Sequence, residues 1–182
     1  RWSHMIGVGS LGAIGVAALA WFSEYRRDRL LIFWNPWKDP QGDGWQIIQS
    51  LYAIGSGGLL GLGLGRSRQK FGYLPEPQTD FIFAITAEEL GFIGAACVIL
   101  LFVYFLWRGY RAGINAPDSF GSLLAIGATS MIALQALINI GVVTSSMPAT
   151  GIPLPFISSG GTSLAITMAA AGIILNVSRY SK

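Results

Sequence analysis

The chain has 182 residues, of which 52% are apolar, 24 are glycine and only 12% are charged. Apolar residues and glycine together make about 65% of the chain, against roughly 45–50% in soluble domains. This composition excludes disorder, a coiled coil and a soluble globular domain. Because the apolar residues come in long runs rather than in alternation, we expect a helical membrane protein and not a membrane β-barrel.

Three single residues limit the class of protein further. His4 is the only histidine and Cys97 the only cysteine. We therefore do not expect a histidine-based metal site, a Ser-His dyad or an internal disulfide. The chain begins with Arg1 rather than Met and carries no secretory signal pattern, so we expect part of a longer protein.

Four segments are long enough to cross a bilayer, for which a helix needs roughly 20 apolar residues. They cover residues 5–22, 81–107, 120–143 and 162–177. The pattern therefore predicts an all-α polytopic membrane protein with four transmembrane helices. We expect residues 1–182 to form a single partial membrane domain, with extracytoplasmic loops at 23–80 and 144–161.

The basic residues predict the orientation of these helices. If the four helices cross in alternation, five basic residues fall on one side, which the positive-inside rule makes cytoplasmic: Arg1, Arg108, Arg111, Arg179 and Lys182. Loop 144–161 has no Lys or Arg, whereas the long loop 23–80 holds the other seven. A basic extracytoplasmic loop suggests an anionic ligand at the membrane surface rather than a nucleic acid.

This orientation can be tested with cysteines at positions 38 and 111 in a Cys97→Ala background. We expect an impermeant thiol reagent to label position 38 in intact cells and to leave position 111 unlabelled, because the first lies in the long loop and the second on the basic side. Labelling at 111 without labelling at 38 would overturn the predicted orientation.

A glycine-rich stretch, residues 55–65, follows a short amphipathic helix predicted at residues 45–54. It is neither a Walker A loop nor a GxGxxG motif after a strand, so nucleotide binding is not expected. Two interpretations remain open. The glycines either permit a close approach of two backbones or form a flexible loop that shapes a substrate groove.

Residues 66–80, R-S-R-Q-K-F-G-Y-L-P-E-P-Q-T-D, place three cations and two carboxylates at the start of the second predicted transmembrane helix. Asp80 directly precedes the apolar run. A carboxylate at a bilayer boundary can serve as a general base. The structural alternative is that Thr79 or Asp80 caps the helix.

Further polar groups lie inside the apolar segments. On one straight helix Glu88 and Glu89 would be at least about 12 Å from Asp80, so we expect no direct carboxylate pair. Acids at membrane depth usually face the protein interior or a wet cavity. Gln135 and Asn139 are spaced i,i+4 and are interpreted as interhelical hydrogen-bonding groups.

The segment 147–163 is rich in proline and glycine and cannot form a regular helix. Irregular backbone near membrane depth is tolerated mainly where it lines a buried or aqueous cavity. We therefore expect this loop to form a second wall of the site, with Ser158 and Ser159 as candidate substrate-binding residues.

Several motifs in order resemble the SEDS family (shape, elongation, division and sporulation), nearer to its FtsW and SpoVE branches than to RodA. The resemblance covers residues from about 26 to 180. Besides the proline-rich loop, the motifs are G-S-G-G-L-L-G-L-G-L-G-R-S-R-Q-K at 55–70, Y-L-P-E-P-Q-T-D-F-I-F-A at 73–84, E-E-L-G-F-I-G at 88–94, N-I-G-V-V at 139–143 and L-N-V-S-R-Y at 175–180.

The resemblance implies a fold of about ten transmembrane helices in the bacterial cytoplasmic membrane, of which this chain would supply the last four. It implies a peptidoglycan glycosyltransferase that polymerises lipid II into a glycan strand for division or sporulation, beside a class B penicillin-binding protein. No resident cofactor is implied, although a divalent cation could assist. As a fragment, the chain alone is expected to be inactive.

The same resemblance assigns residues. The family's essential aspartate falls on Asp80, its N-S-x-Q-K motif on 66–70 and its P-E-A-H-T-D motif on 75–80. Departures are Arg66 for Asn, Gln78 for His, Thr150 for Lys and Ser159 for Tyr. The candidate substrate-binding residues are Arg66, Ser67, Arg68, Gln69, Lys70, Glu76, Gln78, Thr79, Ser158 and Ser159.

In the implied reaction, Asp80 takes the proton of the acceptor's sugar 4-hydroxyl, and nearby cations meet the charge of the departing lipid pyrophosphate. Two rival functions remain open from the sequence. One is a lipid II flippase, and the other is a non-catalytic scaffold for the penicillin-binding protein.

Overall fold

The computed structural model describes residues 4, 6–12, 14–15, 31–42, 44–69 and 78–181. The chain divides into two compact units, residues 1–45 and 46–182. In the first unit the described residues between 4 and 15 are helical, as are residues 31–34, and a 3₁₀ turn follows at Pro36–Lys38. The remaining residues of the first predicted transmembrane segment, at 5–22, lie outside the described residues.

The described residues of the second unit form four helices, the first of which begins one residue before the unit boundary. They are α1 (Trp45–Gly57), α2 (Ile82–Ile114), α3 (Ser119–Val143) and α4 (Gly161–Tyr180). Helices α2, α3 and α4 are long and apolar enough to cross a membrane. The described part of the chain therefore has three such helices, which correspond to the last three predicted segments.

The end of α2 differs from the prediction. The helix continues to Ile114, so Arg108 and Arg111 lie inside its last turns and not in a connection between helices. The physical reason is packing against α3. A β-carbon on Gly109 would lie 2.4 Å from the Thr129 hydroxyl oxygen, so bare backbone is buried here where the apolar run has already ended.

One face of α3 forms the centre of the helix bundle. Its buried residues recur every three or four positions: Gly121, Ala125, Thr129, Ile132, Ala136, Asn139 and Val143. The α4 residues Ala170 and Ile174 pack on Ile132. At the start of α3 the Asp118 carboxylate caps the helix by accepting a hydrogen bond from the Gly121 amide at 2.7 Å.

Helix α2 is broken at Gly91. This residue has φ 69° and ψ −170°, values that are non-helical and that favour glycine. Phe83 before the break and Leu100 after it line the same cavity of about 510 Å³. Because the backbone at Gly91 is non-helical, α2 consists of two helical segments that meet at a kink.

The glycine-rich segment supplies hydrogen-bond partners for the backbone groups that this break leaves unpaired within α2. In an unbroken helix the amides of Phe92 and Ile93 would donate to the carbonyls of Glu88 and Glu89. Instead they donate to the carbonyls of residues 58 and 59, at 2.8 and 3.2 Å. The carbonyls of Glu88 and Glu89 accept from the amides of residues 62 and 63, each at 3.0 Å.

Glycine is required for this exchange because the two backbones touch. A β-carbon on Gly57 would lie 2.1 Å from the Ala87 carbonyl oxygen, and one on Gly61 would lie 2.1 Å from that of Glu89. On Gly91 it would lie 2.3 Å from the Gly61 nitrogen. The interpretation of the stretch as a site of close backbone approach is therefore confirmed.

Two glycines with nearly equal backbone angles provide a test. Gly61 has φ 78° and Gly65 has φ 76°, but only Gly61 has atoms within 4 Å of an added β-carbon. Alanine costs about 1–2 kcal/mol at either position because of the positive φ. We expect Gly61→Ala to lower the free energy of unfolding by a further 2 kcal/mol or so, since the helix contact must open.

The measurement is thermal unfolding of the full-length protein in detergent, with Gly65→Ala as the matched control. Equal midpoints for the two variants would show that the contact between Gly61 and α2 contributes nothing to stability.

Candidate active site

Asp80 sits where α2, α3 and the proline-rich loop meet. Its backbone carbonyl accepts a hydrogen bond from the Asn139 side-chain amide at 2.8 Å, and the same amide donates to the Ile152 carbonyl at 2.8 Å. The N-cap residue of α2 is Phe81. The interpretation of Thr79 or Asp80 as the N-cap is therefore wrong, because the helix begins one residue later than an Asp80 cap and two residues later than a Thr79 cap would require.

The proline-rich loop holds the two residues before Asp80. The Ser158 hydroxyl donates to the Thr79 carbonyl at 2.5 Å and accepts from the Leu154 amide at 2.8 Å. Both the amide and the hydroxyl of Ser159 donate to the Gln78 carbonyl, each at 3.0 Å. Three consecutive backbone carbonyls, at residues 78 to 80, are thus fixed by polar groups of α3 and of this loop.

The Asp80 carboxylate is half-buried and faces the loop. A β-carbon built on Gly151 would lie 3.4 Å from Asp80 Oδ2. The bare backbone of Gly151 is therefore a direct neighbour of this carboxylate.

The proline-rich loop also reaches between the helices. Phe156 has φ 65°, a left-handed backbone conformation that is uncommon for this residue type. Its ring meets that of Phe105 on α2 edge-to-face, with centroids 5.5 Å apart. Both rings line an apolar cavity of about 230 Å³.

A second cluster forms around Glu88, which is 1% exposed. Its carboxylate accepts hydrogen bonds from the Ser67 hydroxyl at 2.5 Å, the Arg68 amide at 3.0 Å and the Gln69 amide at 3.4 Å. These bonds fix the segment 67–69 on α2 just before its break. The side chains of Arg66 and Arg68 are exposed.

The structure thus brings the candidate residues together in two groups. Gln78, Thr79, Ser158 and Ser159 surround the backbone of Asp80, while Ser67, Arg68 and Gln69 are held by Glu88. Lys70 and Glu76 lie outside the described residues. Among the residues that are described, no group of three or more His, Cys, Asp or Glu side chains could hold a metal ion.

Sequence reasoning missed the organising role of two residues. For Glu88 the sequence predicts only that it faces the protein interior or a wet cavity. The signal that could have identified its hydrogen-bond donors is the hydroxyl and the backbone amides of the segment Ser-Arg-Gln at 67–69. Asn139 does hydrogen-bond neighbouring segments, but they are loops and not another helix. The Asn139 side-chain nitrogen makes both of these bonds. Its side-chain oxygen, Oδ1, is buried and has no hydrogen-bond partner among the described residues.

The family of the chain follows from comparison with known proteins. All of it, residues 1–182, matches the model of the FtsW/RodA/SpoVE family, described as cell cycle proteins. The chain belongs to this SEDS family. It is a multi-pass membrane protein, and the described residues contain three long apolar helices.

Two curated relatives illustrate the similarity. Stage V sporulation protein E of Bacillus subtilis is 58% identical over 182 residues, which are 100% of this SEDS chain and 50% of the relative. "Probable peptidoglycan glycosyltransferase FtsW" of Geobacter metallireducens is 48% identical over 159 residues, 87% of this chain and 42% of the relative. The SEDS chain thus spans about half the length of the curated relatives it matches.

Two solved structures share the fold. One, described as "Structural coordination of polymerization and crosslinking by a peptidoglycan synthase complex", aligns with a TM-score of 0.71 and 34% identity, over 98% of this SEDS chain and 49% of the other. The other is a mutant of the rod shape determining protein RodA of Thermus thermophilus. It aligns with a TM-score of 0.54 and 35% identity, over 71% and 39% of the two chains.

The hydrogen-bonding role of the Glu88 carboxylate can be distinguished from the effect of removing a negative charge. Glu88→Gln replaces one acceptor oxygen by a donor that faces backbone amides, so we expect a loss of about 2–3 kcal/mol in local stability. Hydrogen–deuterium exchange of peptides covering residues 66–69 in the full-length protein should then accelerate.

The adjacent Glu89→Gln is the matched control, since it removes an equal charge while one Glu89 oxygen, Oε1, has no partner among the described residues. Unchanged exchange in Glu88→Gln, or equal acceleration in both variants, would contradict an anchoring role for the Glu88 carboxylate.

Proposed function

We propose that the protein containing this chain is a peptidoglycan glycosyltransferase that polymerises lipid II, with Asp80 as the general base. The observation that carries the proposal is the placement of Asp80. Its backbone and the two preceding carbonyls are held by Asn139, Ser158 and Ser159, so the carboxylate is positioned beside Gly151 before any substrate binds. A relative at 48% identity carries the name of this activity.

The reaction is a single displacement. Asp80 accepts the proton of the acceptor sugar's 4-hydroxyl as that oxygen attacks the anomeric carbon of the donor. The bond from this carbon to the lipid pyrophosphate breaks, and the pyrophosphate leaves with the electron pair. The anomeric centre inverts, so an α-linked donor becomes a β-linked glycan. Fixed positioning matters because proton transfer requires hydrogen-bond reach.

The basic segment is proposed to stabilise the leaving group. Because Glu88 binds the backbone at residues 68 and 69, the segment is fixed without using its cationic side chains. The guanidinium groups of Arg66 and Arg68 remain exposed and can meet pyrophosphate oxygens, and Lys70 is assigned the same role. The remaining candidates, Ser67, Gln69, Glu76, Gln78, Thr79, Ser158 and Ser159, are proposed to line the path of the substrate.

The surroundings of the enzyme are also part of the proposal. Residues 1–182 would form a partial membrane domain with four transmembrane helices, the last four of about ten, in the bacterial cytoplasmic membrane. The long loop and the proline-rich loop would face outward. A class B penicillin-binding protein is the proposed partner, since a structure similar to this chain is described as coordinating polymerization and crosslinking in a peptidoglycan synthase complex.

Asp80→Asn tests the base. The amide has no useful basicity, so we expect polymerisation of labelled lipid II by the purified full-length protein to fall by at least about 10²-fold. Asp118→Asn is the matched control. Asp118 caps α3 away from the site, and Asn is about as good a cap, so its activity should be unchanged.

Near-normal polymerisation by Asp80→Asn would eliminate the base assignment. If the unaltered protein forms no glycan but moves lipid II between leaflets, the flippase function is correct instead. A protein that does neither and still binds the penicillin-binding protein is the scaffold.

A further inference from the structure

A polar cavity of about 330 Å³ lies between α2 and α4, outside the candidate active site. Its polar lining consists of Arg108, Arg111 and Asn115 from the end of α2, with Ser178 and Ser181 from the end of α4. We propose that this cavity binds the phosphate group of an anionic phospholipid.

The cavity is at the opposite end of the helix bundle from Asp80. Gly113, close to the arginines, packs on Ile126, whereas Asp80 is bonded to Asn139, thirteen residues or about 20 Å further along α3. The part of α2 after Gly91 is about 34 Å long and can span the bilayer by itself. The cavity therefore belongs to a different membrane surface from that of the candidate active site.

Two guanidinium groups provide the anion-binding charge. Positions 108, 111 and 115 are spaced i, i+3 and i+7, so they lie on the one face of α2 that turns towards α4. In the described part of the chain no carboxylate forms an ion pair with Arg108 or Arg111. Guanidinium groups match the oxygens of a phosphate geometrically, and both are available here for that contact.

The charge is needed at this place for a further reason. Both α2 and α4 end beside the cavity, and helix C-termini carry partial negative charge that repels an anion. The positive charges of the two arginines outweigh this partial negative charge at the cavity. The Ser178 hydroxyl already donates to the Leu175 carbonyl at 2.8 Å, so Ser181 is the hydroxyl left to donate to a phosphate oxygen.

The level of the cavity along α2 is that of lipid headgroups. The Arg111 guanidinium lies over the ring of Trp107, 5.6 Å from its centroid, and Tyr104 packs beside the same ring. Trp and Tyr in such exposed positions are typical of the membrane–water interface. A basic pocket between helices at this level fits an anionic headgroup.

The apolar part of the lining favours a lipid over free phosphate. Phe105, Ile174 and Leu175 border the same cavity, so the phosphate site opens directly onto a surface that can contact acyl chains. Inorganic phosphate would use only the polar part, whereas a phospholipid would use both.

The test uses the full-length protein in detergent and native mass spectrometry with phosphatidylglycerol and phosphatidylcholine as probes. We expect the unaltered protein to retain phosphatidylglycerol preferentially. Arg108→Gln combined with Arg111→Gln should reduce this retention on the order of tenfold, since each arginine near the surface contributes a severalfold preference for anionic lipid.

Arg179→Gln is the matched control, because this residue lies at the same end of α4 and does not line the cavity; it should retain the lipid as the unaltered protein does. Arg111→Lys keeps the charge and should preserve most of the preference even if the double variant fails to fold.

Three results of the lipid-retention measurements would overturn the proposal. They are equal retention of phosphatidylcholine and phosphatidylglycerol by the unaltered protein, undiminished retention of phosphatidylglycerol by a folded double variant, and a loss of lipid in Arg179→Gln as large as that in the double variant. Inorganic phosphate at millimolar concentration should not displace the lipid; if it does, the site is one for free phosphate. Because glycan polymerisation is not measured, the result is independent of the proposed enzyme activity.

Discussion

The exchange of backbone hydrogen bonds at Gly91 is the interaction on which the rest of the second unit depends. A helix broken in apolar surroundings leaves amides and carbonyls without partners, at a cost of several kcal/mol each. Residues 58–63 supply the missing partners through four hydrogen bonds. The glycine-rich segment is thereby attached to α2, and the chain that follows is placed where Glu88 can bind residues 67–69.

Helix α3 performs the corresponding task for the other side of the site. Asn139 is bonded to two carbonyls from segments 59 and 13 residues away, at Asp80 and Ile152. The buried Ser50 hydroxyl of α1 donates to the carbonyl of Val143 at 2.7 Å, so α1 is also bound to this end of α3. Loops that look irregular in sequence are thus fixed by a few polar groups on regular helices.

The sequence predicted what depends on local pattern. Long apolar runs identified α2, α3 and α4, and the position of Asp80 before such a run marked it as a candidate site residue. The extension of α2 to Ile114 was missed, because it depends on Gly109 packing against α3 and not on hydropathy. The break at Gly91 was also missed, since a glycine within E-E-L-G-F-I-G is compatible with a continuous helix. Only the distant segment 58–63 makes the break stable, and periodicity carries no information about partners so far away in sequence.

The left-handed backbone of Phe156 is stabilised by the contact of its ring with α2. Such a conformation costs roughly 1–2 kcal/mol, and contact of the ring with Phe105 offsets that cost. The loop is therefore attached to the helix bundle at two separate places: the Phe156 ring packs on α2, and the hydroxyls of Ser158 and Ser159 bind the backbone just before Asp80.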